Sequence, residues 1–331
     1  MGDVAGYQVR GLIGAVKRLN LDADALLCAA NIEPLSLSDP EARFPETQMA
    51  LFWMALEKAY GEADLGLRLS ESMPFGSFEL VDHLAASCAT IGDGIRSLDN
   101  YAKICSSGMT YHLEEVGGDN PGYLVRAEHE HGNEWLPQTL QDYLWGVAIA
   151  RFRIVWPDYC PTLWLPYPRQ VSAERYRQVL GQAPLDGAPT MFVPDAQWNM
   201  ENPKQDPMLL QLLRAHAADV QARLPAEDPS SIIRHHVAQT LRRGDASIQQ
   251  VSARLGMSPR TLQRQLAARD ERYQDVVDEV RRDQAMRYLA SSRLALKEIA
   301  ALLGYSDPSA FGRAFRRWTG STPDAFRRRA E

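Results

Sequence analysis

The sequence predicts an α+β amino-terminal domain followed by an all-α domain, in which a long helix joins two helix-turn-helix units. Three observations predict this fold class. Helical and strand periodicities are mixed before residue 225, only helical periodicity follows, and a polar segment with two prolines, 222–231, separates the two regions. A chain of 331 residues has room for both domains, which we expect at 1–225 and 226–331.

In the first region, the apolar spacing of several segments is that of helices, and other segments alternate as strands do. The expected helices are 5–31, 46–60, 91–106, 134–156 and 173–180. The expected strands are 109–115, 123–129, 162–167 and 190–193. Because Pro121-Gly122 stands between the first two strands, these should form a hairpin.

The charge of the chain is unevenly distributed. Residues 231–331 carry 19 lysines and arginines against 11 aspartates and glutamates, a net charge of +8, whereas residues 1–230 have a net charge of −14. Such asymmetry predicts a polyanionic partner for the basic part. A solvated basic surface would explain the charge equally well, so charge alone does not decide between them.

The cysteine pattern and hydropathy point to a cytoplasmic protein without a membrane span. The four cysteines are scattered and form no CxxC pair, which is typical of a reducing compartment. No stretch of 18 uncharged apolar residues is present, and the first 20 residues lack the apolar core of a secretory signal.

Residues 247–266 fit a helix-turn-helix unit. Its first helix has one apolar face, formed by Ile248, Val251 and Leu255. Gly256 follows at the position where a helix commonly ends with positive φ. Ser258 can then cap a second helix that begins at Pro259 and turns Leu262 and Leu266 inward.

Residues 295–318 repeat this arrangement. Gly304 ends the first helix, Ser306 or Asp307 caps the next, and Pro308 begins it. Between the units, 272–291 reads as one helix about 30 Å long, close to the roughly 34 Å of one turn of B-DNA. One such hairpin is common in helical bundles that bind no DNA, but the pair and its connecting helix favour two reading helices in successive major grooves.

The outward side chains of the second helix in each unit suit base recognition. Arginine can donate two hydrogen bonds to guanine, and glutamine can pair with adenine. A given exposed arginine more often contacts a phosphate, because at least half of protein–DNA hydrogen bonds go to the backbone. The candidate DNA-binding residues are Ser258, Arg260, Thr261, Gln263, Arg264, Ser309, Arg313, Arg316 and Arg317.

Residues 232–329 resemble the AraC/XylS family of transcription regulators. The resemblance is carried by 255–264, 278–282, 300–320 and 323–327, and above all by Gly-Tyr, Ser-x-Phe and Arg-x-Phe within 304–315. It implies that base contacts come from Arg260, Gln263, Arg264, Ser309 and Arg313. The front region is similar to the arabinose-binding-like domain of this family, through 25–30, 63–68, 76–80 and 90–96. That similarity does not imply a sugar ligand.

Together these features predict a sequence-specific DNA-binding transcriptional regulator controlled by a small-molecule effector. The expected partners are double-stranded promoter DNA, a second copy of the chain and, for an activator, RNA polymerase. Aromatic and cationic side chains of the front domain are candidates for the effector site. They are Arg126, Trp135, Tyr143 and Arg151, although core packing and surface ion pairs would also explain them.

The sequence offers little support for an enzyme. It contains no GxxxxGK[ST] loop, GxSxG elbow or HExxH helix, so we expect neither catalysis nor a cofactor nor a metal. His129 and His131 would share one strand face, but without a third ligand we interpret them as a solvated strand end. Two alternatives stay open: an enzyme that its DNA-binding part delivers, and a regulator that answers a protein partner or needs no ligand.

Overall fold

The computed structural model describes most of the chain as two compact units. The described residues are 2–129, 136–165, 170–224, 229–241, 246–291 and 294–330. The amino-terminal unit consists of Gly2–His129 and Leu136–Leu224, and the carboxy-terminal unit includes Pro225–Glu331. Two of the expected features, the end of the strand at 162–167 and the start of the helix at 134–156, lie partly outside the described residues.

The amino-terminal unit combines helices with two sheets. Its helices are α1 (Gly6–Arg18), α2 (Ala23–Ala29), α3 (Glu46–Tyr60), α4 (Leu65–Ser72), α5 (Leu80–Ser87), α6 (Ile91–Cys105), α7 (Gln138–Val155), α8 (Ala173–Leu180), α9 (Asp195–Trp198) and α10 (Pro207–Arg223), with a short 3-10 helix at Pro34–Ser38. Its strands are β1 (Asp3–Ala5), β2 (Arg43–Pro45), β3 (Met109–Val116), β4 (Gly122–His129), β5 (Thr162–Leu165), β6 (Leu185–Asp186) and β7 (Thr190–Pro194).

The larger sheet has the strand order β3-β4-β7-β5-β6, and β1 pairs with β2 in a separate ribbon. Strands β3 and β4 form the expected antiparallel hairpin, in which Leu113 lies opposite Val125. Strand β7 pairs antiparallel with both β4 and β5, while β6 runs parallel to β5. The α+β class predicted for this region is therefore confirmed.

Helix α7 lies between the two apolar cores of this unit. Tyr143 and Val147 pack into a helical core with residues of α1, α2, α3 and α4. Trp145, Ile149 and Phe152 pack into the core beneath the larger sheet. A helix that is apolar on nearly all sides must be buried on all of them, which explains the aromatic content of this segment.

A buried ion pair joins α7 to α5. The Arg151 Nε donates to Asp82 Oδ1 over 3.0 Å, and the side chains are 9% and 4% exposed. The two Nη atoms of Arg151 donate to the carbonyl oxygens of Met73 and Pro74. The second carboxylate oxygen of Asp82 accepts the backbone N–H groups of Gly76 and Phe78. The pair therefore also fixes the chain between α4 and α5.

The carboxy-terminal unit is helical throughout its described residues, as the sequence predicts. Its helices are α11 (Pro229–Leu241), α12 (Ile248–Arg254), α13 (Pro259–Ala267), α14 (Tyr273–Ser291), α15 (Leu296–Leu302), α16 (Pro308–Thr319) and α17 (Pro323–Ala330). The pairs α12–α13 and α15–α16 are the two helix-turn-helix units, and α14 is the long helix between them. Val251, Leu262 and Leu266 of the first unit pack against Val276 and Val280 of α14.

Several elements differ from the sequence-based expectation, and among them α4, α5, β1, β2 and β6 were not predicted. The expected helix 5–31 is two helices, because Asn20 adopts a φ of 58° and Asp22 then caps α2. Helix α10 was not predicted, because both of its faces carry apolar residues and no clear stripe results. Helix α11 begins at Pro229, inside the polar segment 222–231 that was expected to separate the two regions. Among the described residues, no helix combines the length and the apolar character needed to cross a membrane.

Candidate nucleic-acid interface

The first reading helix, α13, begins at a well-formed cap. Gly256 has a φ of 64°, which allows the tight turn after α12. The Ser258 Oγ accepts the backbone N–H of Thr261 over 3.2 Å, and the two hydroxyl oxygens are 2.9 Å apart. Both side chains thus close the helix start, and Pro259 occupies a position where no N–H is needed.

The outer face of α13 presents polar side chains to solvent. Leu262 and Leu266 are fully buried, so the residues one or two positions away on the opposite face point outward. Arg260, Gln263 and Arg264 are exposed, as predicted. Within the part of the chain that the structure describes, none of these three side chains makes a hydrogen bond or salt bridge. Their donors are available to an external acceptor.

The second reading helix, α16, is capped by Asp307, one of the two caps that the sequence allowed. Its carboxylate accepts the backbone N–H groups of Ser309 and Ala310 over 2.9 and 3.2 Å. The hydrogen bond from Ser309 is the main reason why the pKa of Asp307 is lowered, and Arg313 also contributes. Gly304 has a φ of 73° at the turn before it.

The exposed face of α16 carries Ser309, Arg313 and Arg316, while Phe311 and Phe315 on the other side are buried. As in α13, the guanidinium groups of Arg313 and Arg316 form no hydrogen bond or salt bridge with the described residues. Arg317 is different, because its Nη2 donates to Asp278 Oδ2 of α14 over 2.8 Å. The structure therefore separates Arg317 from the other predicted DNA-binding arginines.

Polar contacts tie helix α14 to α11 and to the residue that precedes the first helix-turn-helix unit. Its 19 residues correspond to a length of about 28 Å. The Tyr273 hydroxyl donates to the carbonyl oxygen of Ala246, which precedes α12, over 2.9 Å. Arg234 of α11 donates to Glu279 over 2.9 Å and to Glu271 over 2.7 Å. These contacts brace the helix that connects the two units.

The candidate effector residues lie in different surroundings. Arg126 is exposed on β4 and forms a salt bridge with Glu114 of β3. Tyr143 is buried, with its ring centroid 5.4 Å from that of Trp53, and burial raises the pKa of its hydroxyl. Arg151 is held in the buried pair with Asp82. Trp135 lies outside the described residues. The structure thus does not bring Arg126 together with Tyr143 and Arg151.

The prediction that His129 lies at a solvated strand end is wrong. His129 is 3% exposed, and its Nε2 lies 3.0 Å from Glu46 Oε2. The alternating pattern of β4 could not reveal this burial, because Glu46 lies 83 residues away in the sequence. His131 lies outside the described residues, among which no group of three or more His, Cys, Asp or Glu side chains could hold a metal ion.

Sequence reasoning missed Asp278 and Arg281 of α14. Besides the Asp278–Arg317 contact, the Arg281 Nε donates to the carbonyl oxygen of Leu303, at the end of α15, over 3.1 Å. The Arg281 guanidinium also lies 4.9 Å from the centre of the Tyr305 ring. Both residues stand in a segment noted for its family resemblance, but no local signal indicates partners 22 to 39 residues away.

Two family descriptions match this chain. The family described as "Arabinose-binding domain of AraC transcription regulator, N-term" matches residues 21–202, more than half of the chain. The family described as "Helix-turn-helix domain" matches residues 251–329, which include both reading helices.

Relatives of similar length are found among curated proteins. The ornithine utilization regulator of Pseudomonas aeruginosa is 28% identical, over 96% of this chain and 94% of its own length. The transcriptional regulator VirS of Mycobacterium tuberculosis is 30% identical, over 84% of each chain. Among solved structures, the regulator CdpR of P. aeruginosa aligns over 97% of this chain and 98% of its own, with 24% identity and a TM-score of 0.44.

Proposed function

The chain belongs to the AraC family of transcription regulators, which bind DNA through a helix-turn-helix domain, and we propose that residues 226–331 bind one promoter site with both α13 and α16. In this proposal α13 reads bases with Arg260, Gln263 and Arg264, and α16 reads them with Ser309 and Arg313, while Arg316 of α16 binds a phosphate. Ser258 and Thr261 shape the start of α13 and can donate to the adjacent phosphates.

One observation carries this proposal. The reading helices of both units present arginines that make no hydrogen bond or salt bridge within the described chain, whereas many other arginines of the molecule are paired. Examples of paired arginines are Arg43, Arg151, Arg175 and Arg234. Guanidinium groups that donate to nothing in the folded chain, on two separate capped helices, suit phosphate oxygens and guanine edges.

Selection of duplexes from a random library by the full chain tests this proposal. We expect a bipartite site whose two half-sites are separated by about 10–10.5 base pairs, one helical turn, because one chain supplies both reading helices. Binding should weaken steeply as salt increases, since phosphate contacts release counterions. Recovery of a single short motif, or of no motif, would contradict the proposal that both helix-turn-helix units bind DNA.

We propose that the amino-terminal unit, residues 1–225, binds a small-molecule effector. Binding of this effector changes how the carboxy-terminal unit, residues 226–331, binds DNA. Its family match and its two separate cores support a sensing role. An effector that contacted Arg151 would have to displace a buried carboxylate, whereas Arg126 offers an exposed guanidinium. A metabolite screen in which no compound raises the melting temperature of the full chain would contradict this part.

We also propose that the regulator acts in the cytoplasm as a homodimer and, where it activates, contacts RNA polymerase. Helix α10 supports the dimer. Its inner face packs against α5 and α6, yet its outer face exposes Met208 by 75%, Leu209 by 43% and Leu212 by 64%. An apolar patch of this kind on a helix is a feature of protein interfaces, and a second copy offers the same patch.

Replacement of Leu212 by glutamate should convert the dimer into a monomer, because the added charge would be buried without a partner. Sedimentation velocity of the full chain at micromolar concentration measures this change. Gln211→Glu is the matched control, since it adds the same charge at the neighbouring exposed position of α10. A dimer that survives Leu212→Glu, or a wild-type monomer, would exclude this interface.

A further inference from the structure

Arg317 lies at the border of the DNA-facing side of α16 but is already engaged within the protein. Its Nη2 donates to Asp278 Oδ2 over 2.8 Å, across 39 residues of sequence. Its neighbour Arg316 is exposed and makes no hydrogen bond or salt bridge with the described residues. Of these two adjacent arginines, Arg316 therefore has a guanidinium group available to DNA, whereas the guanidinium group of Arg317 is bonded to a carboxylate of the protein.

Asp278 is itself held in place on α14. The Gln274 Nε2, one turn earlier, donates to Asp278 Oδ1 over 3.3 Å. With one oxygen on Gln274 and the other on Arg317, both carboxylate oxygens have a partner. The Asp278 side chain is 26% exposed and that of Arg317 is 66% exposed, so the carboxylate is partly shielded from water while the guanidinium lies largely in solvent.

Arg281 provides a second contact between α14 and the same unit. Its Nε donates to the carbonyl oxygen of Leu303, which the α-helical hydrogen-bond pattern leaves without a partner at the end of α15. Its guanidinium lies over the ring of Tyr305, 4.9 Å from the centroid. Helix α14 thus contacts the second helix-turn-helix unit at two places, the turn between α15 and α16 and a position near the end of α16.

We propose that Arg317 is a positioning residue rather than a DNA contact, and that Asp278, Arg317 and Arg281 fix the orientation of α16 relative to α14. This orientation determines which spacing of half-sites the regulator accepts, because α14 also holds the first unit. The inference rests on the proposed function, since it presumes that both reading helices engage DNA.

The direction in which two substitutions change the affinity for DNA distinguishes this role from a direct DNA contact. If Arg317 bound a phosphate and Asp278 were only a nearby carboxylate, Arg317→Gln would weaken DNA binding and Asp278→Asn would strengthen it by removing a negative charge. If the pair positions α16, both substitutions weaken binding to a two-half-site duplex. For a partly exposed pair the loss is about two- to fivefold.

The experiment uses the full chain and two duplexes: the bipartite site selected from the random library, and the same duplex with its second half-site scrambled. Asp278→Asn and Arg317→Gln should each weaken binding to the first duplex, the double variant should be no weaker than either, and binding to the second should not change. Both variants should lose less affinity than wild type when one base pair is inserted between the half-sites. Their salt dependence should equal that of wild type.

Arg316→Gln is the matched control, because it removes the same charge one residue away. It should reduce the slope of log K against log[salt] by about 0.9, the value for one lost phosphate contact. A slope reduced by Arg317→Gln in the same way, or tighter binding by Asp278→Asn, would overturn the positioning role. If the wild-type chain binds the two duplexes with equal affinity, the proposal that both helix-turn-helix units bind DNA is overturned, and this inference with it.

Discussion

Replacement of Arg151 by methionine is expected to lower the free energy of unfolding of the amino-terminal unit by about 3–5 kcal/mol. Methionine fills a similar volume but leaves the Asp82 carboxylate, which is 4% exposed, without its cation. Two carbonyl oxygens, of Met73 and Pro74, lose their donors as well. Urea unfolding followed by tryptophan fluorescence measures the change, because six of the seven tryptophans lie before residue 225.

Arg126→Met is the matched control for this prediction. Arg126 also forms a salt bridge with a carboxylate, but its side chain is 45% exposed and that of Glu114 is 55% exposed. Removal of such a pair should change stability by less than about 1 kcal/mol. The combination of Arg151→Met with Asp82→Leu should recover part of the loss, because no uncompensated charge is left buried. Equal effects of Arg151→Met and Arg126→Met would show that the buried pair has no special role.

The features that the sequence predicted well are local ones. A helix cap or a turn is decided by residues within four positions of each other, so Ser258, Gly256 and Gly304 could be assigned directly from their neighbours. The same holds for the β3–β4 hairpin, whose turn stands between two alternating segments. For this reason the carboxy-terminal unit, in which turn and cap residues recur at short intervals, was predicted almost completely.

The features that the sequence could not reveal join distant residues. Asp82 and Arg151 are 69 positions apart, and each is as plausible on a surface as in a buried pair until the packing of α5 against α7 is known. The order β4-β7-β5 places the last strand of the sheet between two earlier ones, which no periodicity encodes. The same limit explains why Arg317 was predicted together with Arg313 and Arg316, although Asp278 holds it.

Loss of the reading arginines is expected to have the largest effect on function. Arg264→Ala should weaken binding to the selected duplex by about 1–3 kcal/mol, roughly 5- to 150-fold, and relax base preference at one position of the first half-site. Arg313→Ala should do the same in the second half-site. Because the two residues stand on different helices with no shared partner, the double variant should lose about the sum, 2–6 kcal/mol. Competition binding against single-base variants of the duplex measures both effects.

Arg264→Lys separates base recognition from charge. Lysine keeps the positive charge but lacks the planar fork that donates two parallel hydrogen bonds. If Arg264 reads a guanine, Arg264→Lys should relax the preference at that position as Arg264→Ala does, while the salt dependence stays close to that of wild type. If Arg264 instead binds a phosphate, lysine should restore most of the affinity, and the preference should persist at every position of both variants. That second result would assign base reading in the first half-site to Arg260 and Gln263, which lie on the same exposed face of α13.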